Sequence, residues 1–220
     1  MSKIKLFSGM DFSGKTTIIN GINEKMPSKF SIKKKFLTPI DLIENVRKRD
    51  TWLSPEEWKP LLQENIQKDI KEYKENGLIL LDSLWIIKYL AGKIEKNDKQ
   101  DEEEIIILKE LLKKYPEMDS FYITVSMNER IKRFQARAKS GNEITGSDKL
   151  IMDIDKFERR EQIYKKIVLE YFPNTKTIDT TDIDLEQTIN VIINDNNFLK
   201  DMWKDRRFWK YLSLKIFCLW

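Results

Sequence analysis

Histidine is absent from all 220 residues. That absence removes Ser-His-Asp triads, His-ligated metal sites and imidazole acid–base chemistry together. A single cysteine, Cys218, excludes an intrachain disulfide framework and suits a reducing compartment. No apolar run approaches the roughly 18 residues of a membrane-spanning helix. Met1 to Phe7 also lacks the long apolar stretch of a secretory signal, so a cytoplasmic protein with no membrane partner is expected. Seven glycines and six prolines leave no Gly- or Pro-rich linker, and there is no internal repeat. Neither sign of charge dominates: 40 Lys+Arg against 36 Asp+Glu gives +4, with the two signs interspersed. This mild excess suits a polyphosphate ligand and is weak support for nucleic acid as a partner.

What is present is a soluble, globular composition, 35% charged and 11% aromatic. A chain of this length buries roughly 70% of the surface its unfolded form exposes, so it needs no covalent staples. Strand and helix signals alternate along it. Lys3 to Phe7 is a short β-prone run ending at Ser8-Gly9, and Lys15 to Met26 is helical up to Pro27. Phe30 to Leu37 predicts a second strand, and Ser54-Pro55-Glu56-Glu57 starts a helix that runs towards Asn76-Gly77. Leu78 to Leu81 is an uninterrupted apolar run closed by Asp82, the pattern of a strand buried on both faces. Helices are predicted over Leu84 to Lys96, Asp101 to Tyr115, Met127 to Lys139, Ile154 to Phe172 and Leu185 to Ile193, with strands at Phe121 to Val125 and Thr175 to Thr180. The alternation implies a doubly wound, mainly parallel α/β sheet of about five strands in one domain.

The strongest motif is Gly9-Met10-Asp11-Phe12-Ser13-Gly14-Lys15-Thr16, which fits G-x-x-x-x-G-K-[ST] between a strand and a helix. Its glycines let successive backbone N–H groups converge on phosphate oxygens, and the helix that follows aims its positive end at the same point. Gly9, Asp11, Ser13, Gly14, Lys15, Thr16 and Thr17 form the candidate nucleotide-binding set. Lys15 is placed to reach the β- and γ-phosphates and the Thr16 hydroxyl to ligate Mg²⁺, so ATP and Mg²⁺ are the expected cofactors. Asp82, at the end of the buried strand, is the second candidate metal residue; capping the next helix is its structural alternative, and the two roles can coexist. Asp11 beside a polyanion must point away from it, towards a sugar hydroxyl or into the turn itself. Arg130, Arg133 and Arg137 recur at i, i+3 and i+7, so one helical face carries three guanidinium groups suited to the charge that develops in phosphoryl transfer. With Lys15 and Asp11 they make the candidate catalytic set.

These residues resemble the thymidylate kinase family of P-loop nucleoside monophosphate kinases. Phe7 to Thr17 is similar to the family's F-E-G-x-D-G-S-G-K-T-T start. Asp82-Ser83-Leu84 stands where the family has D-R-Y, and Lys88 to Gly92 is loosely like its S-x-x-A-Y-Q-G stretch. Asn128 to Arg137 resembles the helix that leads into the family's lid, and Asp148-Lys149 its D-R pair. Phe157 to Tyr164 resembles F-x-x-R-V-R-x-x-Y, and Ile178-Asp179-Thr180 the last I-D-A turn. The resemblance spans residues 3 to 195. It implies a P-loop kinase fold over 1–197 with a lid near 139–150, a homodimer, and phosphoryl transfer from ATP to a deoxynucleoside monophosphate. By the same analogy Asp11 would take the sugar 3′-hydroxyl, Lys15 the phosphates, Asp82 the metal and the lid arginines the transition-state charge.

The sequence departs from this pattern where the acceptor phosphate would be gripped. Ser83 replaces the arginine of D-R-Y, and Leu37-Thr38-Pro39-Ile40 offers none in place of the family's R-E-P-G turn. Two missing charge-assisted contacts amount to about 1.5–3 kcal/mol each. Either Lys88, Arg47 or Arg49 substitutes, or the acceptor is a nucleoside or a hydroxylated base in DNA. Phe12, where the family has glycine, puts an aromatic ring beside the acceptor. A closing segment, 198–220, interleaves Trp203, Phe208, Trp209, Tyr211, Phe217 and Trp220 with lysines and arginines. It is expected to be a helix that packs its aromatics on the domain or a second subunit. The same pattern would also suit a non-catalytic, nucleotide-gated nucleic-acid-binding module.

Overall fold

The computed structural model describes residues 4–27, 30–34, 78–97, 99–141 and 148–194, with single positions between 57 and 71 and residue 144. The turn at 37–40, Arg47, Arg49, positions 142, 143 and 145–147 of the lid insert and the segment 198–220 lie outside the described residues.

Five parallel strands form one sheet in the order β2-β3-β1-β4-β5. They are β1 (Ile4–Ser8), β2 (Phe30–Lys34), β3 (Leu78–Asp82), β4 (Asp119–Thr124) and β5 (Lys176–Asp179). The helices are α1 (Lys15–Lys25), α2 (Trp85–Lys96), α3 (Glu102–Leu112), α4 (Met127–Lys139), α5 (Ile154–Tyr171) and α6 (Leu185–Ile193). Positions 57, 60, 63, 64, 67, 68 and 71 are also helical, within the helix predicted from Ser54. The fold is thus the expected parallel α/β sheet with helices on both faces.

Strand alternation sends Ile4 and Leu6 to one face and Phe7 to the other. Ile4 and Leu6 join Ile79, Leu81 and the buried sides of α2, α3 and α5. Phe7 joins Leu80, Phe121, Ile123 and the buried sides of α1 and α6. β1 and β3 are buried at every position, which accounts for the unbroken apolar run Leu78 to Leu81 in β3, while the buried Lys5 of β1 is paired with Asp119 of β4. Their register pairs Phe7 with Asp82, so the ends of both central strands open onto the same edge of the sheet. Order reverses at β1, between β3 and β4, and a ligand crevice is expected at the carboxyl ends of strands beside such a switch point.

Candidate active site

The segment Gly9 to Gly14 links β1 to α1, and its shape is set by backbone constraint. Gly9 has φ 141° and Gly14 φ 92°. A Cβ on Gly9 would lie 2.3 Å from the Ile123 carbonyl oxygen of β4, so only glycine lets the loop pass this close to the sheet. α1 begins at Gly14 with no side-chain cap and no acidic residue in its first turn. Its leading N–H groups therefore face the loop unopposed, the arrangement that receives an anion.

Lys15 is buried and curls back onto the loop, donating to the Met10 carbonyl at 2.9 Å and to Ser13 Oγ at 3.2 Å. Burial lowers its pKa to about 8, against the opposing pull of Asp82 and Asp11. Thr16 Oγ1 donates to Asp82 Oδ2 at 2.6 Å. These two oxygens, from α1 and from the end of β3, are hard donors of the kind Mg²⁺ prefers, and Mg²⁺ bound through one or two protein oxygens draws its other ligands from phosphate and water. The pair fits that group. No cluster of three or more His, Cys, Asp or Glu able to hold a metal occurs among the described residues. Asp82 does not cap α2; the N-cap position is Leu84 and carries no side-chain cap.

Asp11 points from the loop towards α2, where Lys88 Nζ donates to both carboxylate oxygens at 3.0 and 2.7 Å. Lys88 is therefore held on Asp11. Ser83, which stands in place of an arginine, is buried with φ 70°; its N–H donates to the Phe7 carbonyl at 2.9 Å. Tyr164 of α5 reaches the same junction. Burial pushes its phenol up to about 12, against hydrogen bonds that include the Gly9 backbone and Ser83.

The three arginines of α4 face the loop in graded environments. Arg130 is fully buried. It donates to the Asp11 carbonyl at 2.8 Å and the Val125 carbonyl at 3.2 Å, pairs with Glu161, and lies over the Phe157 ring. Its guanidinium is consumed in holding the loop to α4 and α5. Arg133 is partly exposed, donating to the Phe12 carbonyl at 3.2 Å and to Glu129 at 3.1 Å, with its Nη1 next to Gly14. Arg137 is exposed, 3.7 Å from Asp148 and over the Phe12 ring. Phe12 itself holds φ 64° and meets Phe134 edge-on, so the loop and α4 are joined by an aromatic contact as well as by charge.

A cleft of about 720 Å³ opens above the loop. It is lined by Gly9, Asp11, Gly14, Lys15, Thr16 and Thr17 on one side, and by one face of α2 (Trp85, Lys88, Tyr89, Gly92, Lys93, Lys96) with Arg160 of α5 on the other. Ser13 is fully buried beneath the loop. On the α2 wall Lys93 pairs with Asp101 at 2.7 Å and Glu104 at 2.6 Å. Burial works against its charge, but those two carboxylates outweigh it and hold the ammonium above its ordinary range. Tyr89 donates to Glu104 at 2.6 Å, and Arg160 pairs with Glu95 at 2.6 Å. Sequence reasoning assigned no role to Tyr164, Glu161, Lys93 or Arg160. The i, i+7 spacing of Phe157 and Tyr164 on one amphipathic helix was the available signal for the first.

No family model matches the chain, and no curated protein matches it. Solved structures do. Thymidylate kinase from Candida albicans aligns with TM-score 0.65 and 19% identity over 91% of this chain and 93% of its own. Deoxyadenosine kinase from M. mycoides, solved with bound dATP, aligns with TM-score 0.58 and 20% identity over 88% and 99%. Thymidylate kinase from Ehrlichia chaffeensis aligns with TM-score 0.51 and 17% identity over 87% and 96%. The chain therefore has the P-loop kinase fold that thymidylate and deoxynucleoside kinases share.

Proposed function

We propose that this protein is an ATP- and Mg²⁺-dependent kinase that transfers the γ-phosphoryl group to a deoxynucleoside or its monophosphate. The observation that carries this reading is the contact between Thr16 and Asp82 beside the buried Lys15, at the floor of a cleft of about 720 Å³. Mg²⁺ held by Thr16 and Asp82 would neutralise phosphate charge as it develops. The loop amides and the start of α1 hold the donor phosphates. Lys15 exchanges its two loop acceptors for phosphate oxygens, which stabilise the charge that burial disfavours. Arg133 and Arg137, the solvent-accessible members of the α4 row, are the guanidinium groups placed to turn onto the transferring group, whereas Arg130 positions the loop. Asp11, with Lys88, is the acceptor of a sugar hydroxyl. The thymidylate-kinase-like reaction, dNMP + ATP to dNDP + ADP, and the transfer to a nucleoside hydroxyl both fit this frame.

Incubation with γ-labelled ATP, Mg²⁺ and a panel of deoxynucleosides and their monophosphates tests it. Labelled product is expected with one or more acceptors and is lost in Lys15→Ala. The absence of transfer to every acceptor would refute the reading.

A further inference from the structure

The wall of the cleft facing the phosphate loop is rich in cations, yet among the described residues each of its inner ones is already engaged by a carboxylate. Lys88 is held bidentate on Asp11, Lys93 between Asp101 and Glu104, and Arg160 on Glu95. The Nε of Arg160 has no partner but is sealed from solvent, so a ligand entering by the cleft cannot reach it. Lys96, exposed at the rim, is screened by water, and a single exposed charge grips weakly. Counted together, Lys88, Lys93, Lys96 and Arg160 are balanced by Asp11, Glu95, Asp101 and Glu104. A phosphate dianion entering here would have to displace carboxylates from charge-assisted contacts of 2.6–3.0 Å. A neutral ligand would not. The same wall offers what a neutral nucleoside uses: the adjacent rings of Trp85 and Tyr89 for a base, and the Asp11–Lys88 pair as acceptor and donor for a sugar hydroxyl.

We infer that the acceptor is an uncharged nucleoside, phosphorylated on a sugar hydroxyl, and that the paired cations of α2 and α5 select against acceptors that already carry a phosphate. This rests on the phosphotransferase reading above. In the step, the hydroxyl oxygen forms a bond to the γ-phosphorus while the bond from that phosphorus to the β,γ-bridging oxygen breaks, its electron pair leaving with ADP. The hydroxyl proton passes to an oxygen of the transferred phosphoryl group, which releases it to water at neutral pH because its second pKa is about 6.

The test compares kcat/KM for nucleosides and for their 5′-monophosphates, using the full chain with Mg²⁺ and ATP. Nucleosides are expected to be preferred by about tenfold or more, the scale of one charge-assisted contact. Glu95→Gln, which releases Arg160, is expected to raise relative use of monophosphates by about tenfold. Should that variant misfold, Asp101→Asn with Glu104→Gln releases Lys93 to the same end. Preference for monophosphates in the unaltered protein would overturn the inference and leave the kinase reading intact. Transfer to neither class would overturn both.

Discussion

Lys15 shows how one buried residue ties binding to pH. Its pKa in the folded chain is about 8, against an ordinary 10.5. Below about pH 8 the side chain is charged in both folded and unfolded chains, and its burial costs stability. As pH rises from about 8 towards 10.5 the folded chain releases the proton first, and that cost is relieved. A polyphosphate favours the charged form, so nucleotide binding should take up a proton above about pH 8 and weaken as pH rises further. Calorimetry in two buffers of different ionisation heat would detect the uptake; affinity that stays flat from about 8 to 10.5 would contradict the assignment. Lys15→Ala should lower turnover by about 10²–10³-fold, as loss of one preorganised charge does elsewhere. Arg130→Met, by contrast, should act chiefly on stability. It strands Glu161 with Tyr122 as its remaining partner here, and the cost is about 3–5 kcal/mol by chemical denaturation. Arg130→Met with Glu161→Gln should cost less than the sum of the two single changes.

At the scale of elements, the phosphate loop is legible because its chemistry is local. Strand, glycine turn and helix follow one another in sequence, and α1, α4 and α6 begin at the residues that the sequence pattern marks. Buried strands such as β3 are legible for the same reason, since four apolar residues closed by an aspartate leave little choice of environment. Contacts between distant segments are not. Nothing in the spacing of α4 says that Arg130 lies in the core while Arg137 lies in water, because that depends on where α5 places Glu161, 31 residues away. Lys88 reads as a spare phosphate-binding cation until the fold sets it opposite Asp11, 77 residues earlier. Two glycine substitutions separate backbone constraint from packing. Gly9→Ala drives a Cβ against the β4 backbone at positive φ and should cost about 1–3 kcal/mol and nucleotide binding together. Gly21→Ala in α1 meets the Ile189 Cδ1 of α6, the end of a flexible side chain, and gains helix propensity. Its thermal unfolding should therefore shift by no more than the equivalent of about 1 kcal/mol.

For the whole molecule, the sheet order places the loop, Asp82 and the start of α2 at the carboxyl ends of adjacent strands, and the cleft is the result. The helices on both faces make that floor rigid: α1 and α6 share one core, α2, α3 and α5 the other. No helix among the described residues is long and apolar enough to cross a membrane. The account stands on the floor of the cleft acting as a seat for a metal-bound triphosphate. Equilibrium titration with a non-hydrolysable ATP analogue, with Mg²⁺ and with chelator, tests that seat most directly. Binding should be tight with Mg²⁺, weaken by about tenfold or more with chelator or in Thr16→Val, and weaken further in Lys15→Ala. Binding indifferent to metal and unchanged in Lys15→Ala would contradict it.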